Sequence, residues 1–121
     1  MKDFLVEGED KKNFHLKLIN PSFKGKDGYV VFYSPTCPHC VNFVPEVEQL
    51  ARRLKGAISI GTVNCKDTIN GNDILADFYN ISGVPTIKFY NGVNGEFIDY
   101  TGGHSVNDLL NFVCKTKNVC V

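Results

Sequence analysis

The sequence lacks several features that would connect it with a membrane, with nucleic acid or with a metal. It has no run of about 18 apolar residues, so no membrane-spanning helix is predicted. Its 13 basic residues balance 13 acidic ones, so the net charge gives no reason to expect nucleic acid or an anionic membrane as a partner. We therefore expect a protein or a small thiol as partner. No second CxxC or HxxxH pair stands at ligand spacing, so we expect no bound metal, and we expect no cofactor.

A targeting signal and a dense cysteine framework are also absent from the 121 residues. Residues Met1 to Asp10 lack the charged-then-apolar pattern of a signal peptide, so we expect a cytoplasmic protein, or one in an oxidising compartment if the chain is an excised domain. Five cysteines are too few for a disulfide-built mini-domain of this length, and they cannot all pair within one molecule. At least one thiol must therefore be free or joined to another molecule.

The composition fits a single domain with a substantial core. Apolar residues make up 43% of the chain and charged residues 21%. The predicted boundaries are an N-terminal tail over residues 1–13, a domain over residues 14–117 and a C-terminal tail over residues 118–121.

Hydrophobic periodicity predicts strands and helices in alternation. Apolar residues alternate from Phe14 to Leu18, which predicts a half-buried strand, and a turn at residues 20–22 follows. The apolar run from Tyr29 to Tyr33 predicts a strand that is covered on both faces. Spacings of three and four from Phe43 to Leu54 predict an amphipathic helix, with a kink at Pro45.

The rest of the chain completes an α/β pattern. The remaining predicted elements are a strand over residues 57–63, a short helix carrying Ile74, Leu75 and Phe78, an antiparallel hairpin with strands over residues 87–90 and 97–100, and a last helix carrying Val106, Leu109, Leu110 and Val113. This order predicts a central mixed sheet with helices on both faces.

The stretch from Thr36 to Cys40 indicates the chemistry. A helix start carries unpaired amides and partial positive charge, which favour a thiolate at Cys37. Cys40 lies one helical turn later, so it can reach the sulfur of Cys37 and displace whatever is bound there. Between them, Pro38 suits a first helical turn and His39 can carry a positive charge, and both favour that thiolate. Cys37 is therefore the predicted nucleophile and Cys40 the predicted resolving thiol.

Two other classes of function compete with this interpretation. A single CxxC pair is also half of a zinc site, although no second CxxC or HxxxH pair stands at ligand spacing. A zinc-binding structural domain is therefore one alternative. A peptide-binding module whose redox chemistry is incidental is the other.

Further motifs give the chain its resemblance to a known family. They are Val30-Val31-Phe32-Tyr33-Ser34-Pro35, the Cys37/Cys40 pair, Pro45, Gly83-Val84-Pro85-Thr86 and Tyr100-Thr101-Gly102. Over about residues 14 to 117 the chain resembles the thioredoxin superfamily, and within it the catalytic domains of protein disulfide isomerases. The resemblance implies a thioredoxin fold and disulfide exchange with protein substrates. It also implies that Pro85 is a cis proline beside the redox pair, where the backbone of Val84 binds an extended peptide.

The sequence departs from the family at four positions. Thr36 replaces the tryptophan that usually precedes the first cysteine, which predicts a different substrate contact. Val31 stands where the family has a buried carboxylate, and Thr62 aligns with the lysine that often accompanies it. His104 aligns with the arginine of the isomerases, so it is either a redox-tuning residue or a solvated loop histidine.

The resemblance also bears on redox potential and partners. Pro38-His39 is the dipeptide of the strongly oxidising periplasmic disulfide oxidant, which predicts a couple more oxidising than thioredoxin. A reductase or glutathione is the expected electron partner. Cys65 and Cys114 are predicted to be small buried side chains. Cys120 is predicted to be exposed; it could pair with Cys114 or with another molecule, and its place near the chain end makes either pairing optional. We expect a monomer, with Cys120 as the residue that could link two copies.

Overall fold

The computed structural model describes residues 26–69 and 71–121 of the chain. The strand predicted from Phe14 to Leu18 and the turn at residues 20–22 lie outside the described residues. The elements in chain order are β1 (Gly28–Tyr33), α1 (Pro38–Leu54), β2 (Ser59–Asn64), α2 (Asn72–Phe78), β3 (Thr86–Tyr90), β4 (Phe97–Asp99) and α3 (Val106–Lys117).

The strands form one mixed sheet in the order β2-β1-β3-β4. Strand β1 pairs in parallel with β2 and antiparallel with β3, and β3 pairs antiparallel with β4. All six residues of β1 are buried, as expected for a central strand whose two faces are both covered. Both the buried strand and the antiparallel hairpin are therefore confirmed.

Alternate side chains of β1 enter two separate clusters of buried residues. Tyr29 and Val31 belong to the larger cluster, to which α1 and α3 contribute. Val30 and Phe32 belong to the smaller cluster, together with Leu75 of α2. Because successive residues of a strand point to opposite faces of the sheet, two helices cover one face and α2 covers the other. The predicted α/β fold with helices on both faces is confirmed.

Helix α1 begins directly at the redox motif and runs along the larger cluster. Pro38 occupies its start, Pro45 lies inside it, and the chain leaves it through Lys55 in the left-handed conformation. The kink at Pro45 stays a prediction. The side chains that α1 buries recur at spacings of three and four, and they are Cys40, Phe43, Val47, Leu50 and Leu54.

Helices α2 and α3 differ in how much of their apolar surface they bury. Among the apolar positions that mark α2 in the sequence, Leu75 is buried, whereas Ile74 and Phe78 are 69% and 66% exposed. Helix α3 buries three apolar side chains, and the Ser105 hydroxyl caps it by accepting the amide of Asp108. No helix in the described part of the chain is long and apolar enough to cross a membrane.

Candidate active site

The redox motif stands where the central strand passes into α1. Strand β1 ends at Tyr33, and the amide of Cys37 donates to the carbonyl oxygen of Ser34 at 3.2 Å, which closes a tight turn. Cys37 itself is the N-cap residue, in extended conformation, and its carbonyl oxygen accepts the amide of Val41 at 3.0 Å. The sulfur of Cys37 therefore lies at the helix end that presents unpaired amides.

The two thiols of the motif have opposite environments. Cys37 is half-buried, whereas only 1% of Cys40 is exposed. Hydrogen bonds from the amide and then the thiol of Cys40 lower the pKa of Cys37; burial opposes them, and the amide of His39 adds a further, smaller lowering. Burial first, and then the neighbouring Cys37, raise the pKa of Cys40. The pair thus combines an acidic, accessible thiol with a buried one that deprotonates less readily.

The loop before β3 approaches the redox pair. The peptide bond between Val84 and Pro85 is cis, as the resemblance implies. The Cys37 thiol lies 3.6 Å from the carbonyl oxygen of Val84, within reach of a weak S–H···O hydrogen bond. The backbone of Val84 is therefore next to the Cys37 sulfur.

The positions where the sequence departs from the family pattern fall into two groups. Thr36 is exposed beside Cys37, and its hydroxyl and that of Ser34 lie 3.1 Å apart. Val31 and Thr62 are buried, at 3% and 0% exposure. The usual carboxylate and lysine positions therefore carry no ionisable group in this chain.

Both histidines of the candidate site border one cleft. His39 is exposed, and the exposed ring of His104 packs on Phe43 with 5.1 Å between ring centroids. They lie on an open cleft of about 330 Å³, which we call the His39 cleft. His104 also borders a second cleft of about 400 Å³ that includes Pro85, which we call the Pro85 cleft. The residues that line the His39 cleft are His39, Asn42, Phe43, Glu46, His104 and Ser105.

Comparison with known proteins agrees with this geometry. The family model for thioredoxin matches residues 6–115, which is most of the chain. The chain belongs to the thioredoxin family.

Within the thioredoxin family, the chain is similar to proteins named protein disulfide-isomerase and to a DnaJ homolog. The chain is 33% identical over 98 residues to the protein disulfide-isomerase erp38 of Neurospora crassa, covering 78% of this chain and 26% of that protein. It is 30% identical over 123 residues to the DnaJ homolog subfamily C member 10 of Mus musculus, covering 98% of this chain and 15% of that protein. The chain thus spans about a quarter or less of these two relatives.

A solved structure shows the same thioredoxin architecture. The J-Trx1 fragment of ERdj5 is similar with a TM-score of 0.69 and 26% identity, over 84% of this chain and 46% of that one. Fold and family are therefore those of a thioredoxin domain related to protein disulfide isomerases.

The cysteines outside the motif do not all agree with the sequence predictions. Cys65 is free and only partly buried; burial raises its pKa to about 11. It borders a cavity of about 210 Å³ with Ser34 and Val84. Cys114 is not a buried thiol as predicted, because it forms a disulfide with Cys120. Of the two pairings considered for Cys120, the structure has the intramolecular one.

The described residues offer no evident metal site. No group of three or more histidine, cysteine, aspartate or glutamate side chains among residues 26–69 and 71–121 is placed to hold a metal ion. The redox pair of this thioredoxin domain therefore has no ligand partners in the part of the chain that the structure describes.

The sequence did not identify all residues around the thioredoxin redox pair. Ser34 is 3% exposed, accepts the Cys37 amide through its carbonyl oxygen and receives the amide of Thr36 at its hydroxyl at 3.4 Å. Glu46 also borders the His39 cleft. The position of Ser34 directly before Pro35 and the motif was a usable signal. Nothing in the spacing of Glu46 pointed to the site.

Proposed function

We propose that the chain is a thiol–disulfide oxidoreductase that exchanges disulfides with protein substrates. The Cys37 thiolate attacks one sulfur of a client disulfide, and the other client sulfur leaves as a thiolate. The Cys40 thiolate then attacks the sulfur of Cys37 and releases the client's second thiol. The client gains two electrons and Cys37–Cys40 becomes a disulfide; the reverse sequence oxidises a client dithiol.

The asymmetry of the two thiols is the observation that carries this proposal. A partly exposed thiol with a lowered pKa is a competent nucleophile near neutral pH, and the same thiolate is also a good leaving group. The buried Cys40, whose pKa is raised, reacts only after a mixed disulfide has formed beside it. Two inert core thiols would not differ in this way in exposure and pKa.

The surroundings of the redox pair supply the proposed client site. Val84 would bind the client backbone beside Cys37, with Pro85 and Thr36 at the margins, and the distance of 3.6 Å from Val84 to the Cys37 sulfur supports this. We propose Pro38 and His39 as the residues that tune the redox pair. His104 is a further candidate, because it borders the same cleft as His39.

The proposed potential is more oxidising than that of thioredoxin. A cation at His39 would stabilise the Cys37 thiolate, and therefore the reduced form, over the disulfide. We also propose that the protein functions in an oxidising compartment. The Cys114–Cys120 disulfide supports this, because such cross-links persist there and are rare in a reducing cytosol. We propose residues 14–117 as the domain, and a reductase or glutathione as its electron partner.

Turnover of a protein disulfide by the full chain tests the function. Wild-type protein and Cys37→Ser would be compared in the dithiothreitol-driven reduction of insulin, with Cys65→Ser as the matched control because Cys65 is also a free thiol. We expect Cys37→Ser to fall to the uncatalysed rate and Cys65→Ser to stay within about twofold of wild type. Equal rates for wild type and Cys37→Ser would refute the proposal.

A peptide-binding module is the competing function, and the Pro85 cleft, which includes the residue directly after Val84, is the observation in its favour. A module of this kind would bind an unfolded client equally well with or without Cys37. Measuring client affinity and turnover on the same Cys37→Ser variant separates the two functions, because only the oxidoreductase loses its activity. Metal analysis of protein purified without chelator tests the zinc alternative.

A further inference from the structure

Ser34 contacts both cysteines of the redox pair through its backbone. It lies directly after β1, and its carbonyl oxygen accepts the amide of Cys37 at 3.2 Å. Its own amide donates a hydrogen bond to the sulfur of Cys40. A change in the orientation of Ser34 would therefore alter the contacts of the nucleophile and of the resolving thiol together.

The side chain of Ser34 holds this backbone in place. Its hydroxyl receives the amide of Thr36 at 3.4 Å and lies 3.1 Å from the Thr36 hydroxyl. A serine hydroxyl that accepts the amide two residues later stabilises a local turn. Because Ser34 is only 3% exposed, its hydroxyl would be costly to leave without a partner, and the exposed Thr36 provides one. The two residues therefore form a hydroxyl pair that fixes the turn before Cys37.

The Ser34 amide bears most directly on the resolving step. Burial raises the pKa of the Cys40 thiol, and the hydrogen bond from the Ser34 amide lowers it. A donor directed at a sulfur stabilises the thiolate over the thiol, and the thiolate is the form that attacks a disulfide. Val31 supplies no carboxylate to take the proton. The amide is thus a fixed, uncharged group that favours ionisation of Cys40 in a buried site.

The ionisable groups around the resolving thiol do not replace this contact. Helix α1 contributes Cys37, which raises the pKa of the resolving thiol, and the exposed His39. The loop after β2 contributes Cys65, whose own pKa burial raises to about 11. The loop before α3 contributes His104, on the His39 cleft, and the loop before β3 approaches the pair through Val84, which does not ionise. Neither histidine changes in the variants below, so its titration affects all of them alike.

We propose that Ser34 is a positioning residue for the resolving step, because its hydroxyl, paired with that of Thr36, holds its amide on the sulfur of Cys40. This inference rests on the proposed oxidoreductase function and adds to it a residue that acts through the backbone. In the step, Cys40 loses its proton to water and its thiolate forms the bond to the Cys37 sulfur. The bond from that sulfur to the client breaks, and the client sulfur leaves as a thiolate.

Release of a peptide from Cys37 tests this role. Rapid mixing of the reduced full chain with a fluorescent peptide that carries an activated disulfide forms the mixed disulfide, and a second phase reports release by Cys40. All proteins carry Cys65→Ser, so that Cys40 is the one free thiol at that stage. Ser34→Ala should slow the second phase about threefold at pH 7, toward the lower end of the effect of one net hydrogen bond. The difference should shrink as pH rises past the pKa of Cys40, where the thiol ionises in both proteins.

Three further variants separate the hydroxyl from a general effect on the fold. Thr36→Val removes the partner hydroxyl at an exposed position, and it should slow release in the same direction even where Ser34→Ala is poorly folded. Thr36→Ser keeps the hydroxyl and should preserve the pH profile. Ser59→Ala removes a hydroxyl at the start of β2, at the other end of the sheet from the motif, and should leave the release rate unchanged.

The outcomes distinguish this inference from the function on which it rests. Release in Ser34→Ala and Thr36→Val at the wild-type rate at every pH, or slowed by the same factor at every pH, would overturn the role of the hydroxyl pair alone. If the protein with Ser34 and Thr36 intact releases no peptide at any pH, the proposed function fails and the positioning role fails with it.

Discussion

The chain carries two pairs of nearby cysteines at opposite kinds of helix end. Cys37 and Cys40 stand at the start of α1, where free amides and partial positive charge favour a thiolate. Cys114 lies near the end of α3, and Cys120 follows six residues later. The carbonyl groups and partial negative charge at that helix end do not favour a thiolate. The first pair consists of free thiols with divergent pKa values, and the second is a disulfide.

The two pairs also differ in what surrounds them. The Cys37 thiol lies 3.6 Å from the carbonyl oxygen of Val84, whereas the C-terminal disulfide stands beside contacts that hold the end of the chain. Val119 packs against the larger cluster, and Arg53 of α1 donates to the carbonyl oxygen of Val121 at 3.3 Å. The comparison therefore separates a pair suited to exchange from a cross-link that attaches the C-terminus to the core.

The largest predicted effect is the difference in reactivity between the Cys37 thiol and the Cys65 thiol. In reduced protein near pH 7, iodoacetamide should label Cys37 at least about 300-fold faster than Cys65. A thiol with an ordinary pKa of about 8.5 is about 3% thiolate at that pH, and one at about 11 is about 0.01%. Because the lowered pKa gives Cys37 a larger thiolate fraction than Cys65 at every pH below both pKa values, its advantage should persist near pH 6.

Mass spectrometry of time-quenched samples measures this labelling. Cys37→Ser is the control, and in it the fast site should disappear without another taking its place. Faster labelling of Cys40 than of Cys37 would reverse the assigned roles.

Removing the C-terminal cross-link should have the next largest effect. Cys120→Ser should lower the free energy of unfolding by about 2 kcal/mol. The disulfide joins two residues that are six apart in sequence, and without it the unfolded chain is less restricted. Urea unfolding measures the change, and Cys65→Ser, which breaks no disulfide, is the control. Unchanged stability would mean that the cross-link does not constrain the unfolded state.

The sequence predicted the redox end of the molecule better than the C-terminal end. Local rules identified Cys37 and Cys40, since the strand, the helix start and the three-residue spacing all fall in one stretch. The pairing of Cys114 with Cys120 stayed open, because the sequence does not show whether the chain after α3 turns back. Glu46 was missed for a similar reason, since its place beside His104 depends on contacts between α1 and a loop some 60 residues later.

The two pairs should also have different reduction potentials. The Cys37–Cys40 couple should lie above about −270 mV, and the Cys114–Cys120 couple below about −300 mV, a difference of at least tenfold in equilibrium constant. Equilibration in glutathione or dithiothreitol buffers, with each pair alkylated and quantified, measures both. His39→Pro should lower the first value and leave the second unchanged. A first value at or below that of thioredoxin would contradict the argument from His39.

The smallest predicted effect concerns the resolving thiol. Burial and the neighbouring Cys37 raise the pKa of Cys40, so its thiolate forms more readily as pH rises. Val31, at the position of the family's carboxylate, cannot accept that proton. We therefore expect mixed disulfides on Cys37 to resolve slowly, faster at higher pH, and about threefold faster in Val31→Glu. This gain is smaller than the roughly 100-fold of a well-positioned base, because the pocket has not been shaped around a carboxylate.

Stopped-flow release of a fluorescent peptide from its mixed disulfide measures the rate. Val31→Gln is the matched control, since it adds a polar group of similar size without a carboxylate. Val31→Glu buries an unpaired charge in the larger cluster, so its unfolding must be measured alongside and the rates compared only where the protein is folded. His104→Ala tests whether this imidazole supplies the missing proton acceptor. If the parent resolves as fast as ordinary thioredoxins and His104→Ala leaves that rate unchanged, the missing carboxylate does not limit resolution.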